Sequence, residues 1–234
     1  MTEQLTSDAM LPRILSPEWA AVLVVDVQND FCHERGAMGL LGFDMGPVQS
    51  SMDALAGFLG EARQASVPII FIATEHGEWT NSQAWLKRGP RSGGEICAAG
   101  SWGSEFYKLA PAPGEPVVVK HRYSGFLGTD LEVVLRARER RSVLVTGVST
   151  NVCVESTARD AFMRDYHVVM VEDCCGALTK PEHEATLHNI RVYFGRVLNS
   201  RAIAAHWRSL GMKQALGENE SVHDVSKMPK REVI

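Results

Sequence analysis

Asp26, Lys120 and Cys153 are three chemically different side chains, each at the carboxyl end of an apolar run or just beyond one. Together they form a kit for acyl transfer. The thiol is a nucleophile, and a helix N-terminus favours its thiolate. A carboxylate can take the thiol proton and later return it to a leaving amine. An ammonium can hold that carboxylate ionised and stabilise the sulfur anion. Main-chain N–H groups around Ser149 and Cys153 can receive a developing oxyanion, and removing one such donor typically costs about 3 kcal/mol of barrier. Taken singly, an Asp after a strand is most often a turn cap, a terminal Lys a solvated charge and a lone Cys a buried hydrophobe. Their coincidence at three strand ends is what points to chemistry.

The elements that must position them are legible as apolar runs: AAVLVVD (20–26), VPIIFIAT (67–74), EPVVVK (115–120), RSVLVTG (141–147), YHVVMVED (166–173) and GRVLNS (195–200). The runs are continuous rather than alternating, as expected of strands buried on both faces. Helical patterns lie between them, at 50–66, from Thr129 onward, after Cys153 and from Thr179 onward. Thr129 with Glu132, and Thr179 with Glu182, have capping-box spacing. This alternation predicts an α/β fold, a doubly wound, Rossmann-like parallel sheet of about six strands with helices on both faces. Ligands of such sheets bind at the carboxyl ends of the strands. Residues 76–114 interrupt the rhythm with three tryptophans, seven glycines and three prolines, and are expected to form a functional loop region with short helices. The expected organisation is an N-terminal extension (1–17), one α/β domain (18–211) and a polar tail (212–234).

The composition is that of a globular chain: 234 residues, 45% hydrophobic, with 24 basic against 28 acidic residues. No basic block invites nucleic acid or an anionic membrane, and no apolar run is long enough to span a bilayer. The opening residues lack the apolar core of a signal peptide. The five cysteines, without a CxxC pair, fit a reduced, cytoplasmic setting. No Walker or GxGxxG motif occurs, so no cofactor is expected. In DVQNDF, Phe31 stands where a calcium loop needs glycine, and the spacing of Cys174, Cys175 and His183 matches no common zinc site.

Three blocks carry a resemblance: VVDVQNDF (24–31), VVVKHRYSGFLGT (117–129) and VTGVSTNVCVESTARDA (145–161). They resemble the signature blocks of the isochorismatase-like cysteine hydrolases, which include nicotinamidases, N-carbamoylsarcosine amidases, ureidoacrylate amidohydrolases and biuret hydrolases. The resemblance runs from about residue 18 to 205. It implies the isochorismatase-like hydrolase fold, a catalytic triad of Asp26, Lys120 and Cys153, a cis peptide before Ser149 and an oxyanion hole of the Ser149 and Cys153 amides. It also implies a homodimer or homotetramer. Nicotinamidases carry an Asp and His metal cluster after the first block. The matching stretch LLGFDMGPVQSSMDAL has Asp44 and Asp53 but no histidine, so no catalytic metal is expected.

KHRYSGFLGT looks most like the ureidoacrylate and N-carbamoyl branch, and EDCCGA (172–177) resembles the biuret branch. Both imply a small-molecule ureido or carbamoyl amide as substrate. Phe31, Tyr123 and Phe126 are candidates to line its pocket and Trp79 to cover it, with ordinary core packing as the competing role. Gln28 is a candidate either to orient substrate or to cap its turn. His76 and Arg122 are further candidates, Arg122 for a substrate carboxylate. The rival readings are a vinyl-ether hydrolase like isochorismatase, a nicotinamidase-like or maleamate-like amidase, and a silent scaffold of the same fold.

Overall fold

A computed structural model of the chain describes residues 8–88 and 96–215. Six parallel strands form one sheet: β1 (Ala20–Val25), β2 (Ile69–Thr74), β3 (Val117–Lys120), β4 (Ser142–Val148), β5 (His167–Gly176) and β6 (Arg196–Leu198), in the order β3-β2-β1-β4-β5-β6. The longer helices are α1 (Gly46–Gln64), α2 (Leu131–Ala137), α3 (Glu155–Phe162), α4 (Lys180–Asn189) and α5 (Ser200–Ala215). The strand order reverses between β1 and β4, and a crevice opens at that switch point.

The alternation hidden in each apolar run explains the two layers. In β1, Val22 and Val24 pack into one cluster with Val48, Met52, Leu55 and Leu59 of α1 and with Ile203 and Trp207 of α5. Ala21, Leu23 and Val25 point the other way, to Leu131 and Leu135 of α2 and to Ala158 and Ala161 of α3. Both faces of every β1 residue are therefore apolar, and each fully buried aliphatic side chain contributes about 1.5–3 kcal/mol. Among the described residues no helix is long and apolar enough to cross a membrane.

Two boundaries differ from the expected ones. Leu11, Ile14 and Leu15 are fully buried, and the Ile14 and Leu15 carbonyls accept bonds from Ser142 Oγ (2.5 Å) and Trp207 Nε1 (2.7 Å). The segment placed outside the domain thus completes its core. At the other end α5 runs on to Ala215, past the boundary set at 211; the rest of the expected polar tail lies outside the described residues.

Gly147 is a backbone requirement of the switch point. Its φ is +107°, and a Cβ there would sit 2.0 Å from the Val25 carbonyl oxygen. Around it the β4–β5 register jumps: Val145 pairs Met170, but Gly147 pairs Cys175. The extra β5 residues include Asp173, whose carboxylate accepts from Ser200 N (2.8 Å) and Ser200 Oγ (2.6 Å) and so anchors the start of α5.

Candidate active site

Four strand ends converge at the mouth of the crevice. Asp26 directly follows β1 with φ 52°, a left-handed conformation uncommon outside glycine. Thr74 ends β2, Lys120 ends β3, and Cys153 follows β4. All four are buried. The Lys120 ammonium lies 2.8 Å from Asp26 Oδ2 and donates to Cys153 Sγ at 3.4 Å, to Thr74 Oγ1 at 2.7 Å and to the Arg122 carbonyl at 3.0 Å. Thr74 Oγ1 passes the chain on by donating to Asp26 Oδ1 at 2.9 Å. The three residues selected from the sequence therefore share one cluster, with a threonine hydroxyl wedged between the carboxylate and the ammonium. Thr74 carried no sequence signal beyond ending an apolar run.

Burial alone works against the Lys120 ammonium, but Asp26 and Cys153 outweigh it and hold its pKa above the ordinary lysine value. The thiol behaves differently from the sequence expectation. Cys153 sits in a π-turn, Thr150–Val154, and α3 begins only at Glu155. Burial, reinforced by the Asp26 carboxylate, pushes the thiol pKa up, and Lys120 only partly offsets this. The direction of the shift keeps the thiol protonated at ordinary pH. The Val148–Ser149 peptide is cis, and Ser149 lines the same cavity as Cys153.

The DVQNDF stretch supplies Asp26 of the cluster and much of its scaffold. Gln28 is fully buried. Its Nε2 donates to the carbonyls of Thr74 (2.9 Å) and Ser104 (2.7 Å), and its Oε1 accepts from Thr74 N (2.8 Å). The amide is committed to backbone at both ends; it clamps Thr74, does not line the cavity and makes no cap bond to its own turn, so the capping role suggested by the sequence is not the one observed. Asn29 Nδ2 donates to the Trp102 carbonyl (2.9 Å). Asp30 accepts from Cys97 N (2.7 Å) and Ala37 N (3.0 Å). A Cβ on Gly103 would collide with this carboxylate at 2.1 Å, so the loop approaches Asp30 as only glycine allows.

A cavity of about 120 Å³ opens over Cys153 and Lys120. Phe31 and Tyr123 line it, as the sequence suggested, and so do His76 and Arg122. Phe126 does not. It is buried in the second core cluster, its ring 5.9 Å from that of Tyr166. Trp79 is 96% exposed and absent from the wall; the tryptophan that lines the cavity is Trp85. Sequence alone could not choose among the tryptophans of one irregular segment. The His76 ring packs against Trp85 with centroids 5.3 Å apart. Burial, assisted by Lys120, Arg88, His121 and Arg122, pushes its pKa down to about 4, so the imidazole is neutral at ordinary pH. Among the described residues no group of three His, Cys, Asp or Glu side chains is placed to hold a metal ion, Cys174, Cys175 and His183 included.

Comparison with known proteins agrees with this geometry. The isochorismatase domain profile matches residues 20–202. The ureidoacrylate amidohydrolase RutB of Agrobacterium fabrum is 37% identical over 203 residues, covering 80% of this chain and 89% of that one. Among solved structures, a cysteine hydrolase from Pseudomonas syringae superposes with TM-score 0.74 at 29% identity, covering 83% of this chain and 94% of the other. N-carbamoylsarcosine amidase from Thermoplasma acidophilum superposes with TM-score 0.64 at 28% identity, covering 78% and 96%.

Proposed function

Given that this chain belongs to the isochorismatase family and is an amidohydrolase within it, we propose that it cleaves the C–N bond of a small ureido or N-carbamoyl compound through a covalent intermediate on Cys153. The observation that carries the proposal is the buried contact of Lys120 with both Asp26 and Cys153 at the floor of one cavity. Its relatives in name, a ureidoacrylate amidohydrolase and an N-carbamoylsarcosine amidase, support the substrate class.

The cycle follows from the proton inventory. The raised thiol pKa means that Cys153 enters as S–H. As Sγ bonds to the substrate carbonyl carbon, its proton passes to the Asp26 carboxylate, and the carbonyl oxygen becomes an oxyanion received by the Ser149 and Cys153 amides. Lys120 keeps its charge throughout and lowers the cost of negative charge on sulfur and carboxylate. Collapse breaks the C–N bond, and the amine or ammonia leaves with the proton from Asp26. What remains is a thioester, or a thiocarbamate where the carbonyl belonged to a ureido group. Asp26 then takes a proton from water, hydroxide adds to the acyl carbon, and the S–C bond breaks with the proton returned to sulfur. The products are ammonia or an amine and an acid, a carbamic acid in the ureido case.

The test pairs turnover with mass spectrometry. With a panel of ureidoacrylate, N-carbamoyl amino acids, biuret, maleamate and nicotinamide, at least one ureido or carbamoyl member releases ammonia. Acid quenching then traps an acyl adduct on Cys153, and Cys153→Ala loses turnover while keeping its melting temperature. Near wild-type turnover by that variant would overturn the proposal.

A further inference from the structure

We propose that the cavity holds its substrate by a carboxylate seated on Arg88 and Arg122, so that the enzyme selects ureido acids over neutral ureides. This rests on the amidohydrolase reading and narrows it. The two guanidinium groups flank one indole: Arg88 lies 3.8 Å and Arg122 4.9 Å from the Trp85 ring centroid. Both line the same cavity as Cys153. Arg88 is steered by bonds from Nε to Tyr123 Oη (2.7 Å) and from Nη1 to the Trp85 carbonyl (2.5 Å). Arg122 is steered by Nη1 alone, which donates to the carbonyls of Thr80 (3.0 Å) and His121 (2.6 Å). Aromatic stacking and bonds to uncharged oxygens thus fix the direction of both forks without neutralising either.

Many other arginines of the described residues are paired. Arg63 meets Glu115, Arg136 meets Glu132, Arg159 meets Glu155, and Arg196 meets Asp8. Among the described residues neither Arg88 nor Arg122 has a carboxylate partner. The remaining charges of the cavity do not supply one. Lys120 and Asp26 neutralise each other at 2.8 Å. His76 contributes no charge near neutral pH and no hydrogen bond to protein from Nδ1, which is buried and unpartnered. Among the described residues the cavity therefore carries two uncompensated positive charges, each with N–H donors to spare. A carboxylate matches that fork geometry, whereas a neutral carboxamide offers it no charge. The neutral ureido end is left for the uncharged surroundings of Ser149 and His76.

Matched ligands test this: 3-ureidopropionate, which bears a carboxylate, against its carboxamide, with biuret as a second neutral ureide. Binding is read by calorimetry on Cys153→Ala protein, and turnover on protein with Cys153 intact. The acid is expected to bind roughly 100-fold more tightly than the carboxamide, as for one charge-assisted anchor. Arg122→Gln and Arg88→Gln should each lose most of that preference, mainly in KM, and leave the weak binding of the carboxamide unchanged. Equal binding of acid and carboxamide, no binding of either, or equal losses on both ligands in the arginine variants overturns the inference. Selective binding of the acid without hydrolysis of it or of any other ureido acid leaves the anion site standing and removes the proposed cleavage of ureido compounds instead.

Discussion

Thr74 is the residue on which the ordering of the cluster turns, and Thr74→Val isolates its hydroxyl. The substitution keeps the volume and branching of the side chain. It deletes one bond donated to Asp26 Oδ1 (2.9 Å) and one accepted from Lys120 Nζ (2.7 Å). Bonds to charged groups contribute about 1.5–3 kcal/mol each. The direct Asp26–Lys120 contact and the Lys120 bond to the Arg122 carbonyl survive, so the lower end applies to both, a total of about 3 kcal/mol. For a domain of this size each kcal/mol moves the melting temperature by roughly 2–4 °C, so a fall of roughly 6–12 °C is expected by scanning calorimetry. The carboxylate also loses its second tether. On the proposed mechanism Asp26 moves the proton, and displacement of such a group by about an ångström costs about 100-fold, so kcat for ammonia release should drop by about that factor with KM little changed. Thr74→Ser, which keeps the hydroxyl, should recover most of both. A Thr74→Val protein with kcat within twofold and melting temperature within about 2 °C of the parent would show that the hydroxyl is a bystander and that Asp26 is oriented by other means.

Two further outcomes follow from the buried groups. Burial pushes the pKa of all five thiols above their ordinary 9.0. Below that value both states hold these protons and the contribution is fully present; above it the unfolded chain releases protons that the folded chain retains, so stability falls with rising pH by about 1.4 kcal/mol per unit for each thiol. Urea unfolding between pH 9 and 11 should show this slope reduced by two protons in a Cys174→Ala, Cys175→Ala double variant, and an unchanged slope would contradict the assignment. Gly147→Ala must move the Val25 carbonyl, 2.0 Å from the new Cβ, at a φ that alanine disfavours. Loss of soluble protein or a destabilisation above about 3 kcal/mol is expected, and a variant of wild-type stability would mean that the switch point relaxes freely.

Much of this molecule is written in local sequence. Every strand overlaps one of the apolar runs, although β4 continues one residue past its run to Val148 and β5 three residues past to Gly176; β1 and β2 are buried on both faces, whereas β3 alternates, with Val117 and Val119 exposed. The Thr179 cap is also as spaced: its Oγ1 accepts from Glu182 N. The equally spaced Thr129 is otherwise engaged, with Oγ1 donating to the Gly125 carbonyl at 2.5 Å and Asp130 at the cap position. Asp26, Lys120 and Cys153 were readable because strand ends are readable. The roles of Gln28, Thr74 and Asp30 were not, because their partners lie far along the chain: Gln28 meets Thr74 and Ser104, and Asp30 meets Cys97. The same holds for Leu11, Ile14 and Leu15, whose short amphipathic segment gains its meaning only from β4 and α5. The thiol environment was misread for a related reason. A turn that opens a helix suggests a favourable dipole, but the chain makes a single, wider π-helical turn first, and burial of the sulfur together with the Asp26 carboxylate outweighs Lys120.

The four polar groups of the cluster sit at the tips of four separate strands, and no short stretch of chain carries two of them. On the proposed mechanism, catalysis is therefore a coincidence detector for the finished sheet. A refolding chain that has recovered its helices but not yet docked β3 beside β2 lacks the ammonium; one that has not closed β4 onto β1 lacks the sulfur. Appearance of enzymatic rate marks the last of these events, so hydrolysis reports on assembly more stringently than any spectroscopic signal of helix or strand content.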